Sequence, residues 1–236
     1  LSELAATAKL ALDQASATVD GTRIVSHYQR DDAAAGRRAL QVAEQSIKAF
    51  NARFGRYPHA ELEVVQGAMT TFLGMEYPGV VLIEQNLYER NGRGLETTVA
   101  HEVGHQWWYS QVGNDAQGEP WLDEGLASYA QVVYYESLGR PELAKGELDA
   151  FRASYRQLRE GGRDAPLATP PGELRGVYVP VIYAKGALFF QALRAQVARE
   201  LAVQRLERGL GDAHPVVPGP GDARVERQSD DRAAAR

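Results

Sequence analysis

His101-Glu102-Val103-Gly104-His105 sets two imidazoles four residues apart, with a carboxylate beside the first. Residues four apart on a helix stack on one face, roughly 5 to 6 Å between Cβ atoms, so both rings can reach one ion. Zinc in a hydrolase takes three protein ligands and keeps a fourth position for water, so two histidines call for a third ligand. Trp121-Leu122-Asp123-Glu124-Gly125 offers one: Glu124 follows His105 after eighteen intervening residues, in the first turn of the next expected helix. The turn formers of segment 113–120 can reverse the chain between the two. Glu102 points off the ligand face and is suited to take the proton from an activated water. The chemistry expected of His101, His105, Glu124 and Glu102 is hydrolysis at one Zn2+ per chain.

Each residue also has a plain reading alone: a helical histidine satisfied by the backbone, a first-turn carboxylate favouring the helix dipole, a surface glutamate. Helix context and a third ligand at suitable spacing set the group apart from a bare H-E-x-x-H. The chain has no cysteine, so any metal must be held by His, Asp or Glu. His27, His59 and His214 have no ligand partner at useful spacing. Trp107, Trp108 and Trp121 read as core aromatics beside the zinc helices. A net charge of -5 gives no basic footprint for nucleic acid. No apolar run approaches the roughly 20 residues that cross a bilayer, so no membrane contact is expected from this segment.

The elements that must position these groups follow from periodicity. Leu4, Ala8, Ala11, Leu12 and Ala15 recur at helical spacing, whereas 22–28 alternates as a strand. Residues 32–54 carry Leu40, Ala43, Ile47 and Phe50 on one helical face, and Gly55 and Pro58 end that helix. Segments 61–66 and 80–84 are rich in β-branched residues and read as strands, with a loop containing Gly74, Pro78 and Gly79 between them. Helices are expected over 95–111, 122–138, 141–160 and 183–206, which makes an α/β (α+β) chain with a mostly helical second half. Beyond Gly209, Pro, Gly and charge without apolar period predict disorder.

The eighteen-residue gap followed by Trp-Leu-x-Glu-Gly resembles the aminopeptidase N (membrane alanine aminopeptidase) family of gluzincin metallopeptidases. The resemblance, over about 32–206, implies a thermolysin-like catalytic domain with a small mixed sheet packed on the zinc-bearing helices. It further implies zinc as cofactor, a peptide or protein substrate, and further domains in the full-length chain. Tyr183, opening Tyr-Ala-Lys-Gly, resembles the family tyrosine that stabilises the oxyanion of the tetrahedral intermediate; Tyr178 is a second candidate. Leu73-Gly74-Met75-Glu76-Tyr77 stands where the family has Gly-x-Met-Glu-Asn, a strand that pairs with substrate backbone and whose glutamate binds the free amine. Leu73 and Tyr77 depart from that pattern, which leaves exopeptidase and endopeptidase open. Ser128, one turn after Glu124, could orient the ligand from behind.

On this reading 1–30 is the tail of a preceding domain or a linker. Residues 31–206 are the peptidase domain, its C-terminal end open to truncation, and 207–236 a disordered tail. The chain starts at Leu1 without an initiator Met or a signal segment, so the natural N-terminus is expected further upstream. The compartment is unassigned; family analogy allows a secreted or membrane-associated protein. The expected function is zinc-dependent removal of N-terminal residues. Alternatives are an endopeptidase or non-peptide hydrolase on the same site, or a non-catalytic zinc-bearing binding domain.

Overall fold

The computed structural model describes residues 12–207. The apolar spacing at 4–11, His214 and the expected disorder beyond Gly209 lie outside the described residues. A five-stranded sheet runs in the order β1 (Asp13–Val19), β2 (Thr22–Tyr28), β3 (Glu61–Gly67), β5 (Val80–Glu84), β4 (Gly74–Tyr77). The two outer pairs are antiparallel; β2–β3 and β3–β5 are parallel.

β1 corrects the helical reading of Leu12 and Ala15. Ala15, Ala17 and Val19 turn inward onto the core while Gln14, Ser16 and Thr18 are exposed, a period of two that alanine tolerates as readily as a helical one. Asp20 and Gly21 take φ of 50° and 87°, the left-handed pair of a two-residue hairpin turn, and lead straight into β2.

The β2–β3 crossover is helix α1 (Ala33–Phe54), whose buried Ala35, Ala39, Ala43, Ile47 and Phe50 pack on Ile24, Leu62, Val64, Val81 and Ile83 of the sheet. Burying each such large aliphatic or aromatic side chain contributes about 1.5 to 3 kcal/mol. Close approach is built in at Gly36: a Cβ there would stand 2.0 Å from the Tyr28 ring, and Ser26 Oγ donates to the Gly36 carbonyl at 2.9 Å.

A short helix, α2 (Gln85–Arg90), leads to α3 (Arg93–Gly104), which places Leu95, Val99 and Val103 in the same core. The expected helix over 95–111 ends seven residues early. Trp107 packs edge-on against Phe50 and donates its indole N–H to the Gly55 carbonyl at 2.7 Å. The chain turns to allow this, with Ser110 N–H on the His105 carbonyl, Val112 N–H on the Trp107 carbonyl, and Tyr109 at φ 131°. Helices α4 (Asp123–Ser137) and α5 (Pro141–Glu160) fall where periodicity puts them. The helix expected from Tyr183 is different: Pro180–Lys185 forms a π-helical turn, and α6 (Gly186–Glu207) follows. Leu158, Leu174, Val177, Val181 and Ile182 make a second small core beneath that turn.

The result is the mixed α/β architecture expected, a small sheet with a mostly helical remainder. The chain up to Arg194 is one compact unit and the part from Ala195 another, within which α6 continues to Glu207. Among the described residues no helix is long and apolar enough to cross a membrane.

Candidate active site

His101 and His105 lie in the last turn and at the C-cap of α3, and Glu124 lies in the first turn of α4. The two helices touch through small residues: a Cβ on Gly104 would stand 3.1 Å from the Ala130 Cβ. Three atoms converge as a result. His101 Nε2 is 3.0 Å from Glu124 Oε2, His105 Nε2 is 3.2 Å from the same oxygen, and the two Nε2 atoms are 3.1 Å apart. Donors 2.0 to 2.1 Å from one tetrahedral zinc stand about 3.3 Å apart, so the set fits that ion.

The electrostatics point the same way. Burial works against a charged His105, but the hydrogen bond and charge of Glu124, aided by Glu102 and Glu76, outweigh it and push its pKa up to about 9. Burial lowers that of His101, against the hydrogen bond of Glu124. Burial also acts on Glu124, yet the two imidazoles hold its carboxyl well below the usual range. A buried anionic group that retains a proton in this way is a setting that favours a cation.

Glu102 is buried beside the triangle, and its Oε2 has no hydrogen-bond partner among the described residues. Burial first, then the charges of Glu76 and Glu124, raise its pKa to about 8. Strand β4 lies against it: a Cβ on Gly74 would fall 2.0 Å from Glu102 Oε1. From the same strand, Glu76 reaches a point where its carboxylate, that of Glu102 and a His105 ring nitrogen all lie within 4.8 Å of one another. Within the described residues β4 pairs with β5 alone, so its other edge is open beside the site.

Tyr183 approaches from the π-helical turn and donates its hydroxyl to Glu124 Oε1 at 2.7 Å. Its ring lies along His101, 5.8 Å between centres, and Tyr178 meets it edge-on at 6.0 Å. The turn is tied down by Lys185, which donates to Asp164 Oδ1 and the Ala165 carbonyl at 2.8 and 2.7 Å. Burial, with Glu124 next, raises the Tyr183 pKa and keeps the phenol a donor.

Ser128 does not make the supporting contact expected of it. Its Oγ is buried without a hydrogen-bond partner among the described residues, whereas Gln131, three residues on, places its Nε2 3.0 Å from His101 Nδ1. His105 Nδ1 lies 3.0 Å from the Trp108 carbonyl, so the turn that ends α3 also orients this ring. Gln106 was equally invisible in sequence. It accepts from Gly79 N–H at 2.8 Å and donates to the Tyr77 carbonyl at 3.1 Å, tying the β4–β5 turn to the residue after His105. Amide spacing carries no motif, and these partners are distant in sequence. Trp107 is in the main core, with Trp108 packed on it, and Trp121 lies against the second, as expected of all three.

The family model "Peptidase family M1 domain" matches residues 38–210. Aminopeptidase M1-B of Oryza sativa subsp. japonica is 30% identical over 196 residues, 78% of this chain and 22% of that protein. Endoplasmic reticulum aminopeptidase 1 of Homo sapiens is 31% identical over 121 residues, 45% of this chain and 12% of that protein. The chain spans less than a quarter of the length of these curated relatives. The crystal structure of an M1 zinc metallopeptidase mutant from Deinococcus radiodurans aligns with a TM-score of 0.54 at 23% identity, covering 79% of this chain and 41% of that one. At that identity the shared property is the fold.

Proposed function

The chain belongs to peptidase family M1, and we propose that it is a zinc-dependent aminopeptidase in which His101, His105 and Glu124 hold the metal. The observation that carries this reading is the donor triangle of 3.0, 3.1 and 3.2 Å with a buried carboxylate oxygen beside it that has no partner among the described residues. When bound, zinc supplies a positive charge that lowers the pKa of water toward about 7, polarises the scissile carbonyl and favours the ionised form of Glu102. Glu102 takes the proton of the attacking water on its carboxylate and later delivers it to the leaving amine. Tyr183, already oriented by Glu124, donates its hydroxyl to the developing oxyanion.

The open edge of β4 hydrogen-bonds an extended peptide backbone, and Glu76 on that strand pairs with the ammonium at the substrate's N-terminus. With the amine held there, the scissile bond is the first of the chain, and this makes the enzyme an exopeptidase.

The test is zinc content and hydrolysis of alanyl and leucyl chromogenic amides by the purified chain, beside Glu102→Gln. Stoichiometric zinc in both with turnover in the parent alone is the expected result. Turnover that survives chelation would overturn the metal mechanism. Equal rates on amine-blocked and free substrates would overturn the exopeptidase assignment, and zinc without turnover on any peptide would leave a binding domain.

A further inference from the structure

Gln131 lies seven residues beyond Glu124 on α4, two turns along the same helix face. It is half-buried, and the end of its amide stands 3.0 Å from Nδ1 of the buried His101. The opposite nitrogen of that ring, Nε2, faces Glu124 and His105. A role for Gln131 at this place rests on the proposed metal site.

A metal on Nε2 uses that nitrogen's lone pair, so the ring proton must sit on Nδ1, and Nδ1–H then needs an acceptor. An amide can offer one by turning its oxygen toward the ring, because its oxygen and nitrogen have nearly the same shape. We propose that Gln131 is a positioning residue for His101. Its amide oxygen accepts from Nδ1–H and fixes the ring in the tautomer whose Nε2 is free for zinc.

The identity of the acceptor matters as much as its place. His105 has a neutral backbone carbonyl behind it, that of Trp108. With Gln131 behind His101, both imidazoles rest on neutral acceptors, and Glu124 is the sole anion among the three ligands and their two supports. A carboxylate at position 131 would make the imidazole more basic and hold the ion more tightly, whereas the amide leaves more of the ion's charge for substrate. Gln131 thus sets a weaker, more electrophilic metal site than the fold could support.

The experiment measures the zinc dissociation constant of the whole chain by competition with a chromogenic chelator, for the parent, Gln131→Glu and Gln131→Leu. Gln131→Glu should bind zinc at least 10-fold more tightly, and Gln131→Leu about 10- to 100-fold more weakly. Because a variant could fold poorly, imidazole nitrogen NMR of the zinc-loaded parent gives a second reading: His101 should carry its proton on Nδ1. Zinc constants within threefold across all three proteins would overturn the inference while leaving the metal site standing, whereas a His101 ring protonated on Nε2 would overturn the inference together with the proposed ligand set. A parent that binds no zinc would overturn both.

Discussion

Replacing Glu102 by Gln should abolish turnover and make the metal-free protein more stable. The carboxyl of Glu102 is buried, one of its oxygens has no hydrogen-bond partner among the described residues, and its pKa rises from an ordinary 4.5 to about 8. The sign comes from linkage. Below pH 4.5 the group is neutral in the folded and unfolded states alike and costs nothing. Between 4.5 and 8 the unfolded chain has lost the proton that the folded chain still holds, so stability falls as pH rises, and above 8 the loss levels off. At 1.36 kcal/mol per unit the ceiling is roughly 3 kcal/mol at pH 7, and water entering the relaxed site brings it to the order of 1 to 2 kcal/mol. The amide of Glu102→Gln has no charge to desolvate. For a chain of this size the gain corresponds to roughly 2 to 8 °C in melting temperature.

The assay is thermal unfolding of metal-free parent and Glu102→Gln from pH 4 to 8, followed by zinc loading and turnover. Midpoints should coincide near pH 4 and separate toward pH 8 with the variant the more stable, while the zinc-loaded variant turns over at least 100-fold more slowly. A difference that does not change with pH would refute the buried-charge reasoning. A parent more stable than the variant at pH 8 would do the same.

Three further outcomes are expected. Gly74→Ala puts a methyl 2.0 Å from Glu102 Oε1, so kcat should drop by about 100-fold or more with zinc content unchanged by metal analysis. Glu76→Gln should raise KM for free-amine amides about 10- to 100-fold in steady-state kinetics and leave any slow cleavage of blocked peptides as it was. Tyr183→Phe keeps the ring along His101 and removes the donor: kcat should fall about 100- to 1,000-fold, KM and bound zinc should not move, and an unchanged kcat would remove Tyr183 from the mechanism.

The convergence of the three donor side chains was legible because it obeys local rules. A four-residue spacing puts His101 and His105 on one face wherever a helix forms, and a first-turn Glu124 needs only a reversed chain to meet them. The failures were competitions between periods. Asp20-Gly21 is a hairpin signal, yet the alanines before it also fit a helix, and only pairing with β2 decides between them. The early end of α3 depends on Trp107 reaching Phe50 and Gly55, contacts 57 and 52 residues away in sequence that no window contains. Gln106 and Gln131 are long-range partners of the same kind, invisible until α3 and α4 are placed.

One apparently mute feature was spatial. Trp-Leu-Asp-Glu-Gly and Tyr-Ala-Lys-Gly both end in glycine, and Gly186 in particular carries little chemistry of its own. Neither glycine has a positive φ, so conformational freedom does not explain them. Each faces the other: a Cβ on Gly125 would stand 3.1 Å from the Gly186 Cα, and one on Gly186 3.0 Å from the Gly125 Cα. Bare backbones therefore meet where α4 and α6 begin. That contact allows Tyr183 to reach Glu124 at 2.7 Å across 59 residues of sequence. The Glu124 carboxylate and the Tyr183 phenol are coupled through two missing side chains, and a methyl at either position would have to push the facing backbone back by a few tenths of an ångström.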